Sequence, residues 1–230
     1  MNKYAIIVAG GEGKRMGTVV PKQFLQLAGK PILYHTLTQF LGAFPDLKII
    51  LVLPEAHTAV GQEIIDAWFD YSRITIAVGG DTRFQSVKNG LAFIKDDNAI
   101  IAVHDAVRCL VSKQLIKTCF DTAANVGTAL PVLPCTDSVR ILTDDTNEFF
   151  PRANVKLVQT PQVFHSKIII PAYNIEYKEK YTDEASVVDA FGMQLQLVEG
   201  DDENIKITTP KDILLAEYIL SNRGEVKAKV

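Results

Sequence analysis

Short apolar runs rich in β-branched residues alternate with helically spaced segments along the first 133 residues. The apolar runs are Tyr4–Ala9, Lys48–Leu53, Ile74–Val78, Ala99–Val103 and Thr128–Leu133. Most of them are continuous rather than alternating, which is typical of strands that are covered on both faces. The helically spaced segments are Pro31–Leu41, His57–Trp68, Arg83–Ile94 and Leu115–Ala124. This order predicts an α/β fold with a mostly parallel sheet and helices on both faces.

The pattern changes after Pro134, where short strands follow one another without an intervening helical segment. The strands predicted there are Asp137–Leu142, Glu148–Phe150 and Val155–Gln159. They indicate a projecting β-hairpin arm at about residues 136–159. The chain continues with predicted helices at Ser166–Tyr177 and Asp183–Phe191, a strand at Gln194–Val198 and a helix at Pro210–Leu220. Because no repeat or linker interrupts this order, residues 1–230 are interpreted as a single domain.

Composition narrows the classes of protein to consider. The 230 residues are 47 % hydrophobic and 22 % charged, as expected of a folded protein rather than a disordered one. A net charge of −3 argues against a nucleic-acid partner but not against a small anionic ligand. Three cysteines without a CxxC pair favour reduced thiols. The apolar stretch Ala5–Ala9 is too short for a signal peptide or for a membrane span of about 20 residues, so we expect a cytoplasmic protein without membrane attachment.

A glycine-rich turn after the first strand indicates phosphate binding. It contains Gly10, Gly11 and Gly13, and ligands of parallel α/β sheets bind at this end of the strands. Closely spaced glycines let backbone N–H groups approach phosphate oxygens. A dinucleotide fingerprint would need glycine where Met16 stands, and a P-loop would need Ser or Thr where Arg15 follows Lys14. What remains is a glycine turn beside the cations Lys14, Arg15 and Lys22, which is either a phosphate loop of another kind or a tight βα turn with solvated basic residues.

The combined run G-G-x-G-x-R-M-G followed by P-K-Q resembles the signature of sugar-nucleotide and polyol-phosphate nucleotidyltransferases. Further segments are similar, in the same order, to motifs of the 2-C-methyl-D-erythritol 4-phosphate cytidylyltransferases. These segments are Gly79–Leu91, Val103–Arg108, Thr160–Gln162, Tyr181–Ser186 and Asn204–Pro210. Two residues depart from the family pattern: Cys109 stands at a usual proline, and Ser138 at a usual threonine.

The resemblance implies a Rossmann-like α/β fold of the nucleotide-diphospho-sugar transferase type and a specific reaction. The acceptor phosphate would attack the α-phosphorus of CTP directly, giving 4-diphosphocytidyl-2-C-methyl-D-erythritol and pyrophosphate. Mg²⁺ or another divalent cation is implied as cofactor, because it neutralises phosphate oxygens. The family also grips a second subunit with its arm, which implies a homodimer whose active site is completed in trans.

Site residues follow from the same resemblance, motif by motif. Catalysis is expected from Arg15, Lys22 and Lys206. CTP is expected at Ala9, Gly10, Gly11, Gly13, Gly80, Asp81, Ser86 and Ala106. The polyol phosphate is expected at Asp105, Arg108, Ser138, Arg152, Thr160 and Thr182, with Asp105 also a candidate Mg²⁺ ligand. His104 is interpreted as a buried strand-end residue rather than a base, and Asp183 and Glu184 as either site residues or first-turn helix residues.

Two other functions stay open. Ribitol 5-phosphate cytidylyltransferases share the glycine loop, H-D-A-V-R and N-I-K-x-T, whereas R-x-x-S-V-x-x-G-L and T-D-E-A-S favour the methylerythritol enzymes. A regulator could bind CTP without turnover. The joint presence of five charged motif residues argues against such a loss of activity. These residues are Arg15, Lys22, Asp105, Arg108 and Lys206.

Overall fold

A computed structural model describes residues 1–11 and 20–224, and within them it contains twelve strands and seven helices. The strands are β1 (Asn2–Val8), β2 (Gln26–Leu27), β3 (Lys30–Pro31), β4 (Lys48–Leu53), β5 (Ile74–Val78), β6 (Ala99–Asp105), β7 (Thr128–Pro134), β8 (Val139–Leu142), β9 (Asn147–Phe150), β10 (Lys156–Val158), β11 (Gln162–His165) and β12 (Leu197–Glu199). The helices are α1 (Ile32–Ala43), α2 (Thr58–Trp68), α3 (Arg83–Leu91), α4 (Lys113–Val126), α5 (Ser166–Ala172), α6 (Glu184–Ala190) and α7 (Pro210–Asn222). None of these helices combines the length and the apolar character that a membrane span requires.

The main sheet confirms the fold class expected from the hydrophobic pattern. Its strand order is β10-β7-β11-β6-β1-β4-β5, with β12 also paired to β7. Strands β6, β1, β4 and β5 are parallel neighbours. Successive side chains of β1 face opposite sides, so Ile7 packs with Phe40 of α1 and Phe120 of α4, whereas Ile6 packs with Val87 of α3. Burial on both faces explains why these strands are continuous apolar runs.

The antiparallel part of the sheet differs from the sequence expectation. Strand β11 lies between β6 and β7 and runs antiparallel to both, although its segment was not expected to be a strand. Strand β10 pairs with β7, with Val158 opposite Val132. Its residues were assigned to the arm in the sequence interpretation, but this pairing puts them in the main sheet.

Within the described residues, a separate two-stranded sheet corresponds to the expected arm. Strands β8 and β9 pair antiparallel, with Val139 opposite Phe150. Large apolar side chains lie exposed on them, with Leu142 79 % and Phe149 68 % accessible. Exposed apolar side chains on an isolated hairpin are typical of a contact surface.

Hydrogen bonds between strand ends build the edge of the sheet at which a site can form. The N–H of Ala9 donates to the carbonyl of Val52 at 2.9 Å, and the N–H of Ala106 donates to Val8 at 3.0 Å. The segment before helix α3 lies at the same edge, because a Cβ on Gly79 would come within 3.0 Å of the hydroxyl of Ser86 and 3.5 Å of the carbonyl of Leu53. The residues after β1 and β6 and the start of α3 therefore converge.

Candidate active site

A pocket of about 250 Å³ lies at this edge of the sheet. Nine of the residues expected at the site line it: Ala9, Gly10, Gly11, Lys22, Gly80, Asp81, Ser86, Asp105 and Lys206. Val8, Gln23, Thr82, Arg83 and Val107 complete the lining within the described residues. Residues from four separate motifs thus line one cavity. Their positions in the sequence alone did not require this arrangement.

Lys22 is placed in the pocket by its neighbour Gln23. The amide Nε2 of Gln23 donates to the carbonyl of Ala9 at 2.7 Å, and the side chain is almost fully buried. This hydrogen bond ties the P-K-Q segment to the end of β1. The ammonium of Lys22 donates to the carbonyl of Ile207 at 3.3 Å, next to Lys206. Two basic side chains from distant segments therefore approach the same side of the pocket.

The start of α3 forms another wall. Thr82 caps the helix by accepting a hydrogen bond from the N–H of Gln85 at 3.0 Å. The N–H of Gly80 donates to the buried hydroxyl of Ser86 at 3.1 Å. A Cβ on Gly80 would lie 2.2 Å from Cγ of Gln85, so a larger residue here would collide with the first turn of α3.

Asp105 joins two cations at the end of β6. Its Oδ2 lies 2.7 Å from the ammonium of Lys206, and its Oδ1 lies 3.2 Å from Nη2 of Arg83. The N–H of Ile207 donates to the carbonyl of Val107 at 2.9 Å, which holds the segment of Lys206 beside this strand end. The carboxylate thus fixes one cation on each side.

The charge state of Asp105 follows from these neighbours. Burial opposes ionisation, but Arg83, Lys206 and Arg108 outweigh it and hold the pKa of the Asp105 carboxyl well below its usual range. Asp105 is therefore an anion at neutral pH, with both of its oxygens paired.

His104 lies behind Asp105 and is fully buried, as expected for a strand-end residue. Its Nε2 lies 3.1 Å from the carbonyl of Arg108, which can only accept, so Nε2 carries the hydrogen. The hydroxyl of Thr160 lies 3.0 Å from Nδ1 and accepts the N–H of Asp105 at 3.1 Å, so it donates to Nδ1. Burial lowers the pKa of His104 to about 3, which keeps the ring neutral.

Arg108 lies beside the pocket with its guanidinium on backbone oxygens. Its Nη1 donates to the carbonyl of Asn204 at 2.8 Å, and its Nη2 lies 3.5 Å from that of Val158. Its Nε is buried without a hydrogen-bond partner in the described part of the chain. Burial lowers the pKa of Arg108, although Asp105 opposes that shift.

A family model for 2-C-methyl-D-erythritol 4-phosphate cytidylyltransferase matches residues 4–222. The chain belongs to this family. A cytidylyltransferase of that description from Phocaeicola vulgatus is 45 % identical over 220 residues, covering 96 % of this chain and 100 % of its own. One from Porphyromonas gingivalis is 46 % identical over 222 residues, covering 96 % and 98 %. The solved 4-diphosphocytidyl-2C-methyl-D-erythritol synthase of Anaerococcus prevotii aligns with a TM-score of 0.80 at 28 % identity, covering 95 % of each chain.

Several residues expected from the family motifs lie outside the pocket lining. Ala106 and Thr160 are buried next to Asp105, and their polar groups bind neighbouring strands and His104. Ser138 and Thr182 are exposed. Arg152 donates from Nη1 to the carbonyl of Thr136 at 2.6 Å, near the base of the arm. Gly13 and Arg15 belong to the part of the glycine loop outside the described residues.

Arg83 is the charged residue of the described pocket lining that the sequence interpretation missed. Arg83 lies in the segment Gly79–Leu91, which resembles a family motif. This resemblance was the signal in the sequence that could have identified Arg83 as a site residue. Its guanidinium binds Glu184 as well as Asp105. Glu184 was weighed only as a first-turn helix residue or a site residue, because a sequence does not reveal that a carboxylate is completely buried.

The carboxylates of the pocket suit a metal carried by phosphates rather than one held by the protein alone. No group of three His, Cys, Asp or Glu side chains that could hold a metal occurs in residues 1–11 and 20–224. Mg²⁺ is commonly bound through one or two carboxylates together with substrate phosphates. Asp105 and Asp81 both line the pocket and are of the required chemistry.

The neutral, buried state of His104 predicts a pH dependence of stability. The unfolded chain binds the proton below about pH 6.5 and the folded one only below about 3, so stability is lost as pH falls through this window. Urea unfolding between pH 6.5 and 4.5 should show a decline of the free energy of unfolding. The part due to His104 is at most about 1.4 kcal/mol per pH unit.

The variant His104→Gln should remove this part of the slope. His57→Gln, at a half-buried histidine packed edge-on against Phe24, is the matched control and should retain the wild-type slope. An unchanged slope in His104→Gln would contradict the assignment of a neutral imidazole.

Proposed function

We propose that the pocket transfers the cytidylyl group of CTP to the phosphate of 2-C-methyl-D-erythritol 4-phosphate and releases pyrophosphate. The family model matches residues 4–222, so family membership supports this activity for nearly the whole chain. The observation that carries it in the structure is the convergence of Lys22 and Lys206 at a glycine-lined pocket. Two ammonium groups and a row of backbone amides suit a triphosphate whose charge must be balanced during the reaction.

The chemical step needs no protein base. An oxygen of the acceptor phosphate attacks the α-phosphorus of CTP and forms a new P–O bond. The bond from the α-phosphorus to the bridging oxygen of the β-phosphate breaks, and that oxygen leaves with the electron pair as part of pyrophosphate. A phosphate monoester is largely ionised near neutral pH. This agrees with His104, whose ring nitrogens are both occupied and whose side chain is buried.

Cations provide most of the rate enhancement in this account. Lys22 and Lys206 stabilise the charge that develops on the α-phosphoryl group and on pyrophosphate. A lysine suits this task because its compact charge sits on a flexible stem, and Lys206 is partly exposed, with 41 % of its side chain accessible. Arg15 is assigned the same role from the glycine-loop motif alone.

CTP lies along the ends of β1 and β5 in this arrangement. The amides of Gly10 and Gly11, with Gly13 by motif, hold the phosphates, and Ala9, whose N–H is bound to Val52, lines the pocket beside them. The cytosine and ribose groups are assigned to the opposite wall and to the strand end beside it, formed by Gly80, Asp81, Ser86 and Ala106. Cytosine offers one amino donor and two acceptors, which backbone and hydroxyl groups can match.

The acceptor is assigned to the side of Asp105 and Arg108, with Thr182 contributing a hydroxyl group by motif alone. The buried hydroxyl of Thr160 is already bonded to His104 and to the N–H of Asp105, so Thr160 supports this side of the site from behind. A guanidinium offers paired donors that match phosphate oxygens, and the unpartnered Nε of Arg108 is consistent with such a role. Arg152 and Ser138 lie near the arm, so we assign them to the active site of a second subunit. The exposed Leu142 and Phe149 on the arm support a homodimer formed through it.

Mg²⁺ is proposed as the cofactor. Asp105 would hold it together with the phosphates of CTP, and the metal would supply neutralisation of the phosphate oxygens. We also assign the protein to the cytoplasm, which fits three cysteines that form no disulfide with one another in the described chain.

The assay that tests the function measures pyrophosphate release with CTP, Mg²⁺ and each acceptor. We expect turnover with 2-C-methyl-D-erythritol 4-phosphate and little with ribitol 5-phosphate. The variant Lys206→Gln should lower kcat/KM by about 100-fold or more, because one group that stabilises the developing charge is lost. Lys211→Gln, at an exposed lysine of α7, is the matched control and should react like the wild type.

Each alternative has its own outcome in the same assay. A preference for ribitol 5-phosphate would show that the protein is a ribitol 5-phosphate cytidylyltransferase. Binding of CTP without turnover of either acceptor would identify a regulator.

Completion of the site in trans predicts complementation between inactive subunits. Arg152→Ala and Arg15→Ala should each be nearly inactive alone and should regain part of the wild-type activity when mixed. One site of the heterodimer would then contain every wild-type group. Mixing two preparations of Arg152→Ala is the control. No recovery despite demonstrated subunit exchange would exclude action of Arg152 in trans.

A further inference from the structure

A buried carboxylate, Glu184, lies behind the pocket and has no assigned role in the reaction. Its side chain is completely inaccessible to solvent. Both of its oxygens bind the guanidinium of Arg83, one to Nη1 and the other to Nη2 at 3.0 Å. The hydroxyl of Tyr173 donates to Oε1 at 3.2 Å. An unpaired anion at this depth would be costly, so the position of Glu184 depends on Arg83.

Helix stability does not explain this pair. Helix α6 is already capped by Asp183, which accepts the N–H of Ser186 at 2.9 Å in a reciprocal capping box. Arg83 is the first residue of α3, where a cation opposes the helix dipole. A structural device for either helix would not place a guanidinium there.

The pair instead continues into the active site. Arg83 uses Nη2 for both Glu184 and Asp105, at 3.0 Å and 3.2 Å. Asp105 in turn holds Lys206 at 2.7 Å through its other oxygen. These contacts therefore connect Glu184 to Lys206, although α6 contributes no residue to the pocket lining. Lys206 is the cation assigned to the reacting phosphates.

We propose that Glu184 is a positioning residue for cytidylyl transfer: it fixes Arg83 so that Arg83 holds the Asp105 carboxylate with Oδ2 turned to Lys206. The proposal rests on the proposed function of the pocket. A planar guanidinium can bind one carboxylate through two nitrogens and still reach a second, which a lysine cannot do. Without Glu184, the guanidinium is free to turn fully toward Asp105 and to displace Lys206.

The first test is the variant Glu184→Gln, which keeps the shape of the side chain and removes its charge. We expect kcat to fall by about 10- to 100-fold, because small displacements of positioned groups have effects of that size. The dissociation constant of CTP, measured by calorimetry without acceptor, should change by less than about threefold, because this contact chain does not include the glycine loop. Glu217→Gln, at an exposed glutamate of α7, is the matched control.

A second variant separates positioning from stability. Removing one partner of a buried ion pair destabilises a protein strongly, whereas replacing both by apolar residues is often neutral. Because Asp105 also loses Arg83, the double variant Arg83→Met with Glu184→Met should melt below the wild type but above the single variant Arg83→Met, in which Glu184 is buried without a cation, and it should still have the low kcat. This variant also carries the test if Glu184→Gln does not fold.

Crystal structures of the wild type and Glu184→Gln supply a readout that is independent of turnover. We expect the contact between Arg83 and Asp105 to change in the variant. Unchanged geometry, a wild-type kcat in Glu184→Gln, or recovery of both melting temperature and kcat in the double variant would overturn the proposal. A wild-type protein without turnover would instead refute the proposed function, while the two crystal structures would still decide whether Glu184 positions Arg83.

Discussion

Asp105 lies at the carboxyl end of β6 with 13 % of its side chain exposed, and an anion so placed is stable only where cations balance it. Arg83 and Lys206 do so from two different segments of the chain. These two ion pairs therefore hold Arg83 and Lys206 together at one wall of the pocket. The negative charge of Asp105 thus holds the positive groups of the site in place before either phosphorylated substrate binds.

The fold supports that arrangement through hydrogen bonds at strand ends rather than through the strands themselves. The backbone N–H of Asp105 is held by Thr160, and Thr160 by the neutral ring of His104. Asn204 accepts the guanidinium of Arg108 on its carbonyl and donates from Nδ2 to the carbonyl of Thr160 at 2.8 Å. These hydrogen bonds between buried polar groups fix the orientation of the charged residues in front of them.

The sequence was sufficient for the parallel half of the sheet, because strands such as Lys48–Leu53 are buried on both faces and read as continuous apolar runs. It did not predict β11, whose segment is short and contains the buried polar residue Gln162, so only pairing with β6 and β7 makes it a strand. The motifs predicted nine of the fourteen described residues that line the pocket. They could not predict the link from Arg83 to Glu184, since contacts across about 100 positions depend on the tertiary structure.

The variant Asp105→Asn tests the central role of this carboxylate most directly, by comparing CTP affinity with turnover. Removal of a negative charge beside a triphosphate lowers repulsion, so CTP measured without Mg²⁺ should bind at least as tightly as to the wild type. Lys206 would lose its ion-pair partner at the same time, and kcat should fall by about 100-fold. Turnover at the wild-type rate, or loss of CTP binding in parallel with turnover, would contradict the account.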